Sequence, residues 1–271
     1  MRVMAILAAY NEERFIAGCL EHLFGQGLEA YLIDNCSTDR TVEIAKRYLG
    51  RGLIGIETLP RDEGVWRPRP ILERKEQLAA TLEADWFMHA DPDEIRVPPR
   101  SDRTLAQAFE EVDKQGYNAV NFLEFAFVPV KEAPDHDHPR FQQTMRWYYP
   151  FQRRFPSRVN AWKRQPEKVE LVPSSGHRVK FDDLLVYPGS FKMRHYLFLS
   201  IEHAVRKYGT RKFDAAHAEK RRGGTLRARL TGLTPEKIEL PSQEELHYYT
   251  SDDELSISNP WRHHVFASWA I

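Results

Sequence analysis

Glycine is missing from the turn where a phosphate-binding loop would need it. The first apolar run, Val3 to Ala9, passes straight into Tyr10-Asn11-Glu12. A dinucleotide-binding turn needs glycines there so that the backbone can approach a pyrophosphate, and that class is excluded. No P-loop pattern occurs either. Cysteine is scarce: Cys19 and Cys36 are the only 2 in 271 residues. They lack metal-ligand spacing and make no disulfide framework, which points to a reducing compartment and a cytoplasmic protein. Net charge is lacking as well, with 39 Lys plus Arg against 39 Asp plus Glu. No global field then directs the chain to nucleic acid. No apolar run approaches the about 20 residues of a membrane span. The N-terminal run ends at Glu12-Glu13 and reads as a buried first strand rather than a leader.

What is present is alternation. Val3 to Ala9, Ala30 to Ile33, Leu53 to Ile56 and Trp86 to Ala90 are short apolar runs. Between them Ile16, Leu20, Leu23 and Phe24, then Val42 and Ala45, then Leu72, Leu78 and Ala79 recur at helical spacing. Repeated βα units imply a mostly parallel sheet covered by helices. After Pro98-Pro99 the pattern changes. Leu105 to Val112 reads as a helix. Asn118 to Val130 and Thr144 to Phe155 read as antiparallel additions, with a polar loop (132–140) between them, and 184–187 and 192–198 as further short strands. Ser200 opens a helical tail to about residue 230. The expected organisation is one α/β domain over 1–200, with halves 1–97 and 98–200. A helical C-terminal extension, 201–271, packs on it.

In open parallel sheets ligands bind outside the carboxyl ends of the strands. All four strands here end in acidic clusters: Tyr10-Asn11-Glu12, Asp34-Asn35-Cys36-Ser37-Thr38-Asp39, Pro60-Arg61-Asp62 and Asp91-Pro92-Asp93-Glu94. The last is the most informative. Proline disfavours a helical residue before it, so Asp91 and Asp93 are expected to be extended and to face one spot. At about 5 Å and an effective dielectric of about 20, two carboxylates repel by about 3 kcal/mol. Mg²⁺ or Mn²⁺ shared with a diphosphate would relieve that cost. A phosphatase with an aspartyl nucleophile would carry its acids after the first strand, not the fourth.

Ala9-Tyr10-Asn11-Glu12-Glu13, Ile33-Asp34-Asn35-Cys36-Ser37-Thr38-Asp39-Arg40-Thr41 and Ala84-Asp85-Trp86-Phe87 leading into Asp91-Pro92-Asp93-Glu94 resemble the family 2 glycosyltransferases of GT-A fold. The resemblance covers about the first hundred residues and rests on three spaced motifs in order. It implies a GT-A sheet and a nucleoside-diphosphate sugar donor, UDP or GDP favoured. It also implies Mn²⁺ or Mg²⁺, and a glycan or lipid-linked acceptor. Asp34 matches the acid that reads the nucleobase, accepting an imide N–H that cytosine lacks. Ala8, Ala9 and Tyr10 match the pocket lining, and Glu12 a position beside the ribose. Asp93 matches the metal-binding acid of the DXD motif and Asp91 its first acid, which often faces the ribose; Asp62 joins the same rim. Arg74 or Lys75 could meet the diphosphate, although an exposed helix face between Glu73 and Glu76 is the expected environment for both. His195, in Arg194-His195-Tyr196, is a candidate third metal ligand, with His177 behind it.

Inversion, usual in the family, needs a base. Asp182-Asp183 is the nearest match to the family's acidic pair, in surroundings that depart from its pattern; Glu94 and Glu202 are the other candidates. A basic tract runs from Arg206 to Arg229 and would suit an anionic acceptor or peripheral contact with an acidic membrane face, or simply a solvated helix. Trp261, Phe266 and Trp269 could dock on the domain, on lipid or on a partner. The alternatives are a non-catalytic nucleotide-sugar binder of the same fold and a sugar-nucleotide pyrophosphorylase, which would need a Gly-rich basic first loop.

Overall fold

The computed structural model describes residues 1–61, 65–152, 158–210, 212–213 and 230–270. In chain order the elements begin with β1 (Val3–Ala9), α1 (Ile16–Gly25), β2 (Glu29–Asp34), α2 (Thr41–Lys46), β3 (Leu53–Thr58) and β4 (Val65–Trp66). They continue with α3 (Pro68–Thr81), β5 (Trp86–Ala90), β6 (Glu94–Val97), α4 (Leu105–Lys114), β7 (Ala119–Phe127) and α5 (Phe141–Thr144). The rest are β8 (Trp147–Phe151), β9 (Val159–Lys163), β10 (Phe191–Tyr196), α6 (Ile201–Ala204), β11 (Lys212–Phe213) and β12 (His247–Tyr248).

The chain divides into two compact units. The first holds Met1–Pro60, Pro68–Glu124 and Arg154–Arg194; the second holds Arg61–Arg67, Phe125–Arg153 and His195–Ile271. The divisions fall inside β7 and β10, so the units interleave in sequence rather than meeting near residue 200.

In the first unit the strands run in the order β7-β9-β5-β1-β2-β3. β1 pairs in parallel with β2 and β5, and β2 with β3; β9 is antiparallel to both β5 and β7. The central strand shows why its sequence is apolar throughout. Val3, Ala5, Leu7 and Ala9 enter the core under α1, α2 and α4, while Met4 and Ile6 enter the core under α3. A strand buried on both faces has no polar side to display. α4 starts at a capping box in which Thr104 and Gln107 satisfy each other's backbone N–H groups.

Two strands escape the sequence reading. β6 carries Glu94 and Arg96 and looks like rim loop. β9 carries Asn160 and Lys163 and has no clean period. The segment 184–187 contributes only a bridge, Val186 to Ala119.

The second unit has its own core, with Tyr149, Leu197, Phe198, Tyr208, Phe266 and Trp269. β8 pairs antiparallel with β12, and β4 in parallel with β11. Phe266 and Trp269 are buried here, and Trp261 stacks on Tyr149 at 4.3 Å, so all three pack within this unit. The expected run Thr144 to Phe155 is a short helix followed by β8, and its end at 153–155 lies outside the described residues. Of the helical tail, α6 passes into one π-helical stretch, Val205–Gly209, and 214–229 lie outside the described residues. Beyond them the described residues form short 3-10 turns and β12. Most of the basic tract lies in that undescribed stretch. Among the described residues no helix is long and apolar enough to cross a membrane.

Candidate functional site

Strand register fixes the geometry of the rim. Ala9 on β1 is opposite Asp34 on β2, and Leu7 is opposite Ala90 on β5, so Asp91 stands level with Ala8. Asp34 and Asp91 therefore flank β1 at two strand spacings, about 10 Å. Ala9 is buried, while Ala8 and Tyr10 are partly exposed.

The two loops beside Asp34 are stapled together by the residues that carry the motifs. The Asn11 N–H donates to Ser37 Oγ at 3.0 Å, and the Thr38 N–H donates to Asn11 Oδ1 at 2.7 Å. The Glu12 N–H donates to Thr41 Oγ1 at 2.8 Å, and the Glu13 N–H to Asp39 Oδ2 at 3.1 Å. Asn11 (φ 56°) and Cys36 (φ 61°) adopt the left-handed region, which asparagine tolerates better than most residues. Asp34 is only 3% exposed, and both its oxygens accept from the Ser37 N–H at 3.2 and 3.3 Å. That contact fixes the direction of the carboxyl group.

The acidic segment after β5 departs from its expected extended form. The Glu94 N–H donates to the Asp91 carbonyl at 3.1 Å, closing a turn with Pro92 and Asp93 in its centre. Asp91 turns toward α3, with Oδ1 3.7 Å from Lys75 Nζ. Asp93 is 7% exposed. Burial pushes the Cys19 thiol on α1 up, and Asp93 presses on it harder than any other nearby carboxylate.

Lys75 corrects the sequence reading most sharply. It is fully buried rather than on an exposed helix face. Its Nζ donates to His89 Nδ1 at 3.0 Å and to the Ala90 carbonyl at 2.9 Å. Burial lowers its pKa to about 8, against the pull of Asp91 and Glu94. His89 is pushed well below the usual histidine range, by burial first and then by Lys75 and Arg96, so the ring is neutral. Glu94 Oε2 accepts from the Asp91 N–H at 3.2 Å and lies 2.9 Å from Arg96 Nη2, with both side chains buried. That pair ties the turn to β6 and commits Glu94 to a cation, away from the role of base.

Arg74 and the Asp182-Asp183 pair are not brought to this rim. Arg74 is held on the β3 side by Glu57, with Nε 2.6 Å and Nη2 2.7 Å from its two oxygens. Asp182 and Asp183 are exposed, and the Asp183 carbonyl accepts from Asn118 Nδ2 at 2.8 Å. Asn118 precedes β7, and the neighbouring Ala119 pairs with Trp162, which pairs with Phe87 near the start of β5. The acidic pair therefore lies at the opposite end of the strands from Asp91. His195 and Glu202 belong to the second unit, where the His195 ring is edge-on to His264 at 6.1 Å. Asp62 lies outside the described residues. Among the described residues no three His, Cys, Asp or Glu side chains form a preassembled metal cluster. Two carboxylates on one turn still fit Mg²⁺ or Mn²⁺, which commonly take one or two protein carboxylates and complete their shell with phosphate and water.

Residues 4–67 match the model of glycosyl transferase family 2. Among solved structures the chain is similar to S. aureus TarS, at 14% identity and a TM-score of 0.42, covering 80% of this chain and 41% of that one. It is similar to TarS in complex with UDP-GlcNAc at 15% identity and 0.41, covering 72% and 58%. It is also similar to glucosyl-3-phosphoglycerate synthase from Mycobacterium tuberculosis in complex with Mn²⁺, UDP and glucosyl-3-phosphoglycerate, at 20% and 0.29, covering 45% and 44%. Across the TarS structures matched, the chain spans 36% to 60% of the length of each. No curated protein matches.

Proposed function

We propose that the chain is a glycosyltransferase that takes its sugar from a UDP- or GDP-sugar and passes it to an acceptor hydroxyl in glycan or glycolipid assembly. One relationship carries the reading: the register that sets Asp34 and the Asp91–Asp93 turn on either side of β1 at the carboxyl end of a parallel sheet. The family match over residues 4–67 supports it. Asp34, held by the Ser37 N–H, offers an acceptor to an imide N–H, so uracil or guanine fits and cytosine does not. Asp93 and Asp91 would hold Mn²⁺ or Mg²⁺, and the ion would supply positive charge opposite the departing diphosphate. The Lys75 ammonium stands behind Asp91 and sets the direction of its side chain. The neutral His89 accepts from Lys75 and keeps the ammonium in place.

A thermal-shift series with UDP-, GDP-, dTDP- and CMP-sugars, with and without Mn²⁺, tests the reading. A ligand at a hundredfold excess over its dissociation constant adds about 2.7 kcal/mol of apparent stability. UDP or GDP compounds shift the wild type in the presence of Mn²⁺, Asp93→Ala removes the Mn²⁺ dependence, and Asp34→Ala removes the response to the base. A response to cytidine compounds alone would overturn the reading.

A further inference from the structure

A second buried ion pair stands beside this rim. Arg158 Nε and Nη2 lie 2.9 and 2.8 Å from the same oxygen, Glu124 Oε2, and the two side chains are 9% and 0% exposed. The Arg158 N–H donates to Asn121 Oδ1 at 3.1 Å. Its remaining terminal nitrogen, Nη1, contacts Nδ1 of the exposed His177. A guanidinium carries only donors, so Nδ1 must accept and the ring proton sits on Nε2. A metal-bound imidazole keeps a proton on its other nitrogen and donates it to an acceptor. Here the other nitrogen faces a donor, which opposes ligation of a metal by His177.

The position is close to Asp91. Gly176 has φ +81°, and a Cβ built there would sit 2.8 Å from His89 Cε1 and 2.9 Å from His89 Nε2. His89 precedes Asp91 by two residues, and Asp91 is among the charges acting on Arg158.

We propose that His177 is a hydrogen-bond donor to the diphosphate of the sugar nucleotide, its tautomer set by the Glu124–Arg158 pair, and that it is not a metal ligand. This rests on the nucleotide-sugar reading above. No proton moves: a neutral N–H is aimed where negative charge grows as the sugar departs.

Two measurements on the full chain test it. Long-range ¹H–¹⁵N NMR, with His177 assigned by comparison with His177→Gln, reports the neutral Nε2–H form from about pH 6 to 8; an Nδ1–H form overturns the proposal. Calorimetric titration with UDP and Mn²⁺ then compares His177→Ala with His177→Gln, whose amide restores a donor. His177→Ala weakens UDP about tenfold, leaves uridine affinity and the Mn²⁺ half-saturation unchanged, and is largely rescued in His177→Gln. Unchanged UDP affinity in His177→Ala overturns the proposal, and so does an Mn²⁺ half-saturation raised about tenfold, the mark of a lost ligand. A wild type that binds no nucleotide overturns the underlying functional reading too, and is distinguished by occurring before any variant is compared.

Discussion

The Lys75 ammonium, with no exposed side-chain surface, lies 3.7 Å from Asp91 Oδ1. A buried cation therefore stands directly behind the acidic turn at the end of β5. It ties the turn to α3 through a single ion pair.

Lys75→Met separates the cost of this cation from its use. The folded-state pKa of Lys75 is lowered from 10.5 to about 8. Between those values the unfolded chain binds more protons than the folded one, so this group makes stability rise with pH. The full difference is about 3 kcal/mol. Wild type minus Lys75→Met, measured by urea unfolding from pH 7 to 10.5, is expected to show that rise. UDP affinity in the presence of Mn²⁺ is expected to fall about tenfold in the variant, as Asp91 loses its partner.

Asn11→Ala removes the staple between the loops after β1 and β2. The alanine loses the side-chain bond to the Thr38 N–H and must adopt φ 56° without asparagine's tolerance of it. Equilibrium unfolding should show a loss of about 1–2 kcal/mol. Asn11→Gly, which removes the backbone strain alone, should recover part of it.

Gly176→Ala puts a Cβ against the His89 ring at 2.8 Å in a left-handed backbone. A loss of about 1–3 kcal/mol is expected from strain and overpacking. Tm measured by calorimetry checks it, with Gly116→Ala (φ +83° and nothing within 4 Å of the added Cβ) as the control for backbone strain alone.

Glu94→Gln leaves the buried Arg96 without its anion. Breaking a buried pair from one side costs about 3–5 kcal/mol. Arg96 Nε and Nη1 find no acceptor among the described residues, which leaves little to compensate. Unfolding in guanidinium chloride at pH 7 should show the loss, while Glu110→Gln, on an exposed pair with Lys114, changes little.

Much of the first unit was legible because its strands are short, apolar and separated by helical periods. Lys75 was misread although the signal was present. Ile71, Leu72, Leu78 and Ala79 define a stripe at helical spacing, and position 75 falls within it. Asp182-Asp183 shows the converse: a motif-like pair whose strand connection carries it to the far end of β7. The extended reading of Asp91 to Asp93 also failed, because proline at the second position suits a turn as well as an extended chain.

The sequence alone determined which segments could be strands, since only an unbroken apolar run tolerates burial on both faces, and it determined where acids would follow them. Tertiary structure decided which of those acids meet. Strand order and register set the Asp34-to-Asp91 separation, a closed turn took the place of an extended Asp91–Asp93 segment, and packing of α3 brought a lysine under the rim. Such outcomes depend on contacts between residues distant in sequence, so no local pattern encodes them.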